Sequence, residues 1–93
     1  MFTGTLRVSY FIPASHSLKE RRSVVSSLKE RARARFNASV AEVDGEDVWQ
    51  RATLGVAVVG GEYTRVAEQL DALLRLLESD PRAQVLDVER EIR

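Results

Sequence analysis

FTGTLRVSYFIP, residues 2–13, followed closely by SLKERRSVVSSLKERARARF, residues 17–36, decides the fold of this chain. In the first stretch Leu6, Val8, Tyr10 and Ile12 share one face, while Thr3, Thr5, Arg7, Ser9 and Phe11 share the other. A period of two over this length predicts a half-buried β-strand. Pro13 ends it, because proline has no N–H to give to a ladder. In the second stretch Ser17-Leu18-Lys19-Glu20 has the form of a capping box, with the Ser17 hydroxyl and the Glu20 carboxylate each meeting the other's backbone N–H. A helix is predicted from there to about Arg35. Leu18, Val25, Leu28, Ala32 and Phe36 recur along it at helical spacing and form an apolar stripe.

The rest of the chain repeats this plan. Asn37 to Val43 reads as a short strand with Ala38 and Val40 toward the core, and Asp44-Gly45 is a turn signal. Val48 to Val59 reads as the returning strand of a hairpin, with Leu54, Val56 and Val58 inward. Gly60-Gly61 breaks the strand at a tight turn into a second helix, Thr64 to Glu78, whose buried stripe is Val66, Leu70, Leu73, Leu74 and Leu77. Asp80-Pro81 turns the chain into a last strand, Gln84 to Ile92. There Leu86, Val88 and Ile92 are expected on one side, and Asp87, Glu89 and Glu91 on the other. The order β-α-β-β-α-β over residues 1–93 predicts a single α+β domain, a ferredoxin-like βαββαβ sandwich. Its four-stranded antiparallel sheet carries both helices on one face, with right-handed crossovers. The other sheet face is left open, and is expected to carry Arg7, Ser9, Phe11, Trp49, Arg51, Thr53 and Gly55.

Composition narrows the chemistry. The 93 residues contain no Cys and one His. That excludes disulfides, thiolate zinc sites, iron–sulfur clusters and thiol catalysis, and any site needing two imidazoles. His16 sits before the capping Ser17 with no positioned nucleophile or orienting acid at a readable spacing, so it reads as a loop residue. Glu42, Asp44, Glu46 and Asp47 cluster around a turn but lack the twelve-residue calcium pattern. No catalytic residue, cofactor or metal site is therefore expected. No apolar run approaches the ~20 residues of a membrane span, and the N-terminus lacks a basic-then-apolar signal region. The expectation is a cytoplasmic protein without a membrane partner.

The 14 basic and 14 acidic residues sum to zero, but they are segregated. Residues 1–37 hold eight Lys and Arg against two Glu, a surplus of six, and residues 38–93 carry the matching deficit. Lys19, Arg22, Ser26, Lys29 and Arg33 follow alternating spacings of three and four, so four cations form one ridge beside the apolar stripe of the first helix. Such a ridge can engage successive phosphates, with Arg21, Arg31 and Arg35 adding to the field from other sides. The alternative is a solvated face whose charges pair with the acidic half. Base stacking on the sheet is not expected, because Arg51 to Val58 carries no aromatic residue.

Several stretches together resemble the YlxP-like family of small bacterial proteins, classed as a domain of unknown function. They are Ser17-Leu18-Lys19-Glu20-Arg21-Arg22, Phe36-Asn37-Ala38-Ser39-Val40-Ala41-Glu42-Val43, Trp49-Gln50-Arg51-Ala52, and Gly55 with Val58-Val59-Gly60. The resemblance covers essentially the whole chain and implies the same βαββαβ fold. It supplies no catalytic residues to transfer. Genes of that family often lie beside translation-initiation and ribosome-maturation genes, which tilts expectation toward RNA.

Two functions follow as expectations. The first is a non-enzymatic accessory protein for structured RNA or a ribosomal subunit, holding phosphates with Lys19, Arg22, Lys29 and Arg33. The second is a homo-oligomeric interaction module, a homodimer that uses an edge strand or the open sheet face with Phe11 and Trp49 and needs no nucleic acid. An enzyme or small-ligand regulator ranks last, since no pocket with converging polar groups is legible.

Overall fold

A computed structural model describes residues 1–13, 17–44 and 50–93. The chain runs β1 (Phe2–Phe11), α1 (Leu18–Arg35), β2 (Ser39–Val43), β3 (Arg51–Gly60), α2 (Tyr63–Leu77) and β4 (Gln84–Ile92). The strands form one sheet in the order β2-β3-β1-β4, and every neighbouring pair is antiparallel. Helix α1 packs on β2 and β3, and α2 on β1, β3 and β4. This is the ferredoxin-like βαββαβ sandwich. Val48 and Trp49, expected to begin the third strand, lie outside the described residues, as do His16, Gly45, Glu46 and Asp47.

The inward faces of the two central strands are those that alternation predicts. Leu6, Val8 and Tyr10 of β1 and Leu54, Val56 and Val58 of β3 are buried, joined by Ile12, Ala52 and Val40. Val66, Leu70, Leu73 and Leu77 of α2 close the core from above, with Leu74 half-buried. Gly4 sits directly beneath α2. A Cβ there would lie 2.6 Å from Val66 Cγ1 and 2.8 Å from Leu70 Cδ1, so the helix rests on a strand position that only glycine leaves open. The Tyr10 hydroxyl donates to the Leu77 carbonyl at 2.9 Å and pins β1 to the end of α2. Burial pushes its pKa above the ordinary tyrosine range, and the nearby Glu78 and Asp80 add to the shift.

Two expectations are corrected. Leu18 is exposed and does not open the buried stripe of α1, which consists of Arg21, Val24, Val25, Leu28 and Ala32. Leu18 stands in the first turn of α1, ahead of the run of buried residues that begins at Arg21. Leu86 is 46% exposed, because the β1–β4 register shifts between Ser9 and Tyr10: Ser9 opposes Asp87 while Tyr10 opposes Val85. A bulge adds one residue to one strand and reverses alternation beyond it. Val85 thereby takes the half-buried place assigned to Leu86, in line with Val88 and Ile92.

Candidate nucleic-acid interface

The ridge stands on a capped helix. Ser17 is extended and its hydroxyl accepts the Glu20 N–H at 3.2 Å, while Arg33 and Arg35 lie in the last turn. Cations there complement the negative end of the helix dipole. Lys19, Arg22 and Arg33 are exposed and Lys29 is half-buried. Arg33 reaches back to donate to the carbonyl of Val40, on the edge strand β2. The ridge therefore runs along the β2 side of the molecule, away from α2.

The acidic half of the chain neutralises the basic half only in part. Arg7 pairs with Asp44 and Arg21 with Glu42. Arg31 meets Asp80 at 2.8 Å. Arg21 is 5% exposed, and its Nε also donates to the Arg51 carbonyl at 2.6 Å, so it is a buried tie between α1 and the β2–β3 pair. Asp80, 4% exposed, gathers Arg31 and Arg82. Its carboxyl is held below the usual carboxylate range, chiefly by the Arg82 side-chain hydrogen bond, against the opposing effect of burial. The expectation that Arg21 and Arg31 join Arg35 in the outward field is thus corrected for those two, whose guanidinium groups are committed to acids. Among the described residues Lys19, Arg22, Lys29 and Arg35 have no acid within ion-pair distance. Arg35 lines a separate surface hollow of about 390 Å³ with Phe36 and Arg75.

The open sheet face is a different surface. It presents Thr3, Thr5, Arg7, Ser9 and Phe11 from β1, with Arg51, Thr53, Gly55, Ala57 and Val59 opposite them on β3. Ser9 and Thr53 hydroxyls meet at 3.3 Å. Phe11 is half-buried at one end, and Trp49, its expected companion, lies outside the described residues. A hollow of about 400 Å³ lies over Ser39, Ala41, Gly55 and Ala57, with the Arg7–Asp44 pair at its border. On the β4 side Asp87 and Glu89 oppose Ser9 and Arg7 and share this face. Acids beside the sheet disfavour phosphate there. Of the acidic turn cluster, Glu42 and Asp44 are each bound to an arginine.

Residues 3–90 match the family model described as a protein of unknown function, DUF503. The chain belongs to the DUF503 family. A relative named uncharacterized protein YlxP, from Bacillus subtilis, is 34% identical over 65 residues, which cover 70% of this chain and 71% of the relative. Among solved structures, a de novo designed protein with a ferredoxin fold superposes with a TM-score of 0.50 at 16% identity. The superposition covers 100% of this chain and 86% of the designed one. That likeness shows the fold alone. The DUF503 match carries no activity with it, so the surface of this member is read from its own residues. No helix among the described residues is long and apolar enough to cross a membrane.

The Arg7–Asp44 and Arg31–Asp80 pairs were not legible in the sequence, because their members lie 37 and 49 residues apart. A buried Arg21 was legible only as a departure. It occupies the helix face that Val25, Leu28 and Ala32 define, a signal that was available in the spacing.

Proposed function

We propose that this DUF503 protein is a non-enzymatic, cytoplasmic accessory protein that binds structured RNA or a ribosomal subunit through the phosphate backbone, using Lys19, Arg22, Lys29 and Arg33. One observation carries the reading. The acids of the second half pair with Arg7, Arg21 and Arg31 but leave Lys19, Arg22 and Lys29 without an acidic partner among the described residues. Among the described residues, a chain of zero net charge thus keeps a basic flank of α1 without ion-paired acids. Like charges on one ridge repel, and phosphates relieve that repulsion. These contacts position a backbone and read no bases.

Three free cations on a duplex imply a slope of log K against log salt of about −2.7, and about −3.6 if Arg33 leaves the Val40 carbonyl to join them. The test is anisotropy titration of structured RNA across a salt series, paired with co-purification on salt-washed and unwashed ribosomal subunits. Arg22→Glu with Lys29→Glu changes two side chains that hold no acid, and should flatten the slope by about 2. Replacing Arg22, Lys29 and Arg33 together with Glu should abolish co-purification. Binding undiminished by these changes refutes the ridge.

A further inference from the structure

The two edges of the sheet are built differently. β2, at one edge, has five residues, and Arg33 lies on it, donating to the Val40 carbonyl. β4, at the other, has nine residues and neither proline nor lysine. Its bulge is confined to the end near Leu86, which leaves residues 87–92 regular. Thr3 and Arg93 exchange both backbone hydrogen bonds, at 2.8 and 2.9 Å. Bonding alternates along an antiparallel pair, so Thr5, Arg7 and Ser9 bond in the same way to Glu91, Glu89 and Asp87. Val88, Arg90 and Ile92, which alternate with them, turn their N–H and C=O groups away from β1. Among the described residues nothing bonds to those groups.

The side chains of this edge are sorted by face. Val88 and Ile92 are half-buried on the helix side, and Asp87, Glu89 and Glu91 are exposed on the open face. Arg7, the cross-strand neighbour of Glu89, is taken by Asp44. Among the described residues Asp87 and Glu89 have no cation within ion-pair distance, and Glu91 has Arg93 alone.

We propose that β4 is a docking edge for an extended basic segment of another protein, which adds antiparallel to it as a fifth strand. The unbonded backbone supplies the attachment, and the acids choose the occupant. Apolar residues of the segment stand opposite Val88, Arg90 and Ile92, exchange backbone bonds with them and extend the apolar helix face. Basic residues alternate with these and fall opposite Asp87, Glu89 and Glu91. Those are the non-hydrogen-bonded positions, where Cα atoms approach to about 4.5 Å and side chains pair most closely. A second copy of the chain does not fit. Centred on Val88, Glu89 or Arg90, a two-fold pairing of β4 opposes Asp87 to Glu89, Glu89 to itself, or Glu89 to Glu91, and like charges directly opposite repel. The β2 edge brings Glu42 and no cation. Residues 87–92 at ~3.3 Å each span about 20 Å, so the complex is a weak and transient one. It does not rest on RNA binding, because the ridge runs along β2, at the opposite edge.

The test is titration of the isotope-labelled full chain with the peptide acetyl-Val-Lys-Val-Lys-Val-Lys-amide, followed by amide NMR. The Val88 and Arg90 amides, open to water in the free chain, should exchange at least tenfold more slowly in the complex. Methylating the backbone nitrogens of the valines, which face β4, should weaken binding at least tenfold. Methylating those of the lysines, which face away, should leave it within about twofold. Asp87→Lys with Glu89→Lys should turn the preference to a peptide with glutamate in place of lysine, at unchanged circular dichroism. Absence of binding at about 1 mM peptide would overturn the proposal, as would equal binding of the two methylated peptides. So would a free chain that sediments at twice 10.4 kDa with its Val88 and Arg90 amides already protected, since the edge would then belong to a second copy.

Discussion

Replacing Asp80 with Asn tests how the basic and acidic halves are joined. The carboxylate is buried and its acceptors are fully used. Oδ2 takes Arg31 Nη2 at 2.8 Å and Arg82 Nη2 at 2.7 Å, and Oδ1 takes the Arg82 backbone N–H at 2.9 Å and its Nε at 3.0 Å. Asparagine keeps the shape but turns one oxygen into a donor, so whichever way the amide sits, two of four bonds become donor against donor. Two guanidinium groups also lose their counter-charge. Breaking a buried pair from one side costs about 3–5 kcal/mol. Arg31 and Arg82 side chains are 40% and 47% exposed, and water relieves part of that. A loss of about 2–3 kcal/mol follows, roughly 10–20 °C in melting temperature for a domain of this size. Thermal denaturation followed by circular dichroism at neutral pH measures it directly.

The same residue predicts a pH dependence. Its folded pKa is depressed, so its contribution is present above the unfolded value of about 3.9 and is lost as pH falls through the folded one. The gap between wild type and Asp80→Asn should therefore hold at neutral pH and close in strong acid. A variant melting within a few degrees of wild type at neutral pH, or a gap that persists in strong acid, would refute the account.

Other outcomes follow from the packing. Gly4→Val drives two methyl groups into Val66 and Leu70, and should cost about 1–3 kcal/mol in urea denaturation; an unchanged midpoint would show that α2 can lift off the sheet freely. Tyr10→Phe leaves the Leu77 carbonyl unpaired and should cost about 1–2 kcal/mol at neutral pH. Because the folded tyrosine titrates higher than the unfolded one, wild type should lose stability as pH rises above about 10, and Tyr10→Phe should lack that loss. Arg21→Met removes the donor to the Arg51 carbonyl and leaves Glu42 unpaired, so it should lower the melting temperature, whereas Arg22→Met one residue on should hardly move it.

Much of the fold was legible because its signals are local. The alternation of Leu6, Val8 and Tyr10, the Ser17 cap and the Val66-to-Leu77 stripe each depend on residues within a few positions of one another. The ridge was legible for the same reason, since helical spacing places Lys19, Arg22, Lys29 and Arg33 on one flank whatever the helix packs against. Where the reading of β4 failed, the deciding partner was distant. Leu86 points outward because β1 pairs with β4 through a bulge, and a bulge belongs to two strands. The glycine at position 4 has its reason in α2, whose Val66 and Leu70 rest on it from more than sixty residues away.

The sequence by itself determined the order of the elements, the inward faces of the central strands and the cationic flank of α1, all set by short-range periodicity and capping. Only the tertiary structure decided which charges remain outward. Pairing joins residues 21, 37 and 49 positions apart, so Arg21, Arg7 and Arg31 are taken by Glu42, Asp44 and Asp80. Lys19, Arg22 and Lys29 lie on the flank that those acids do not reach.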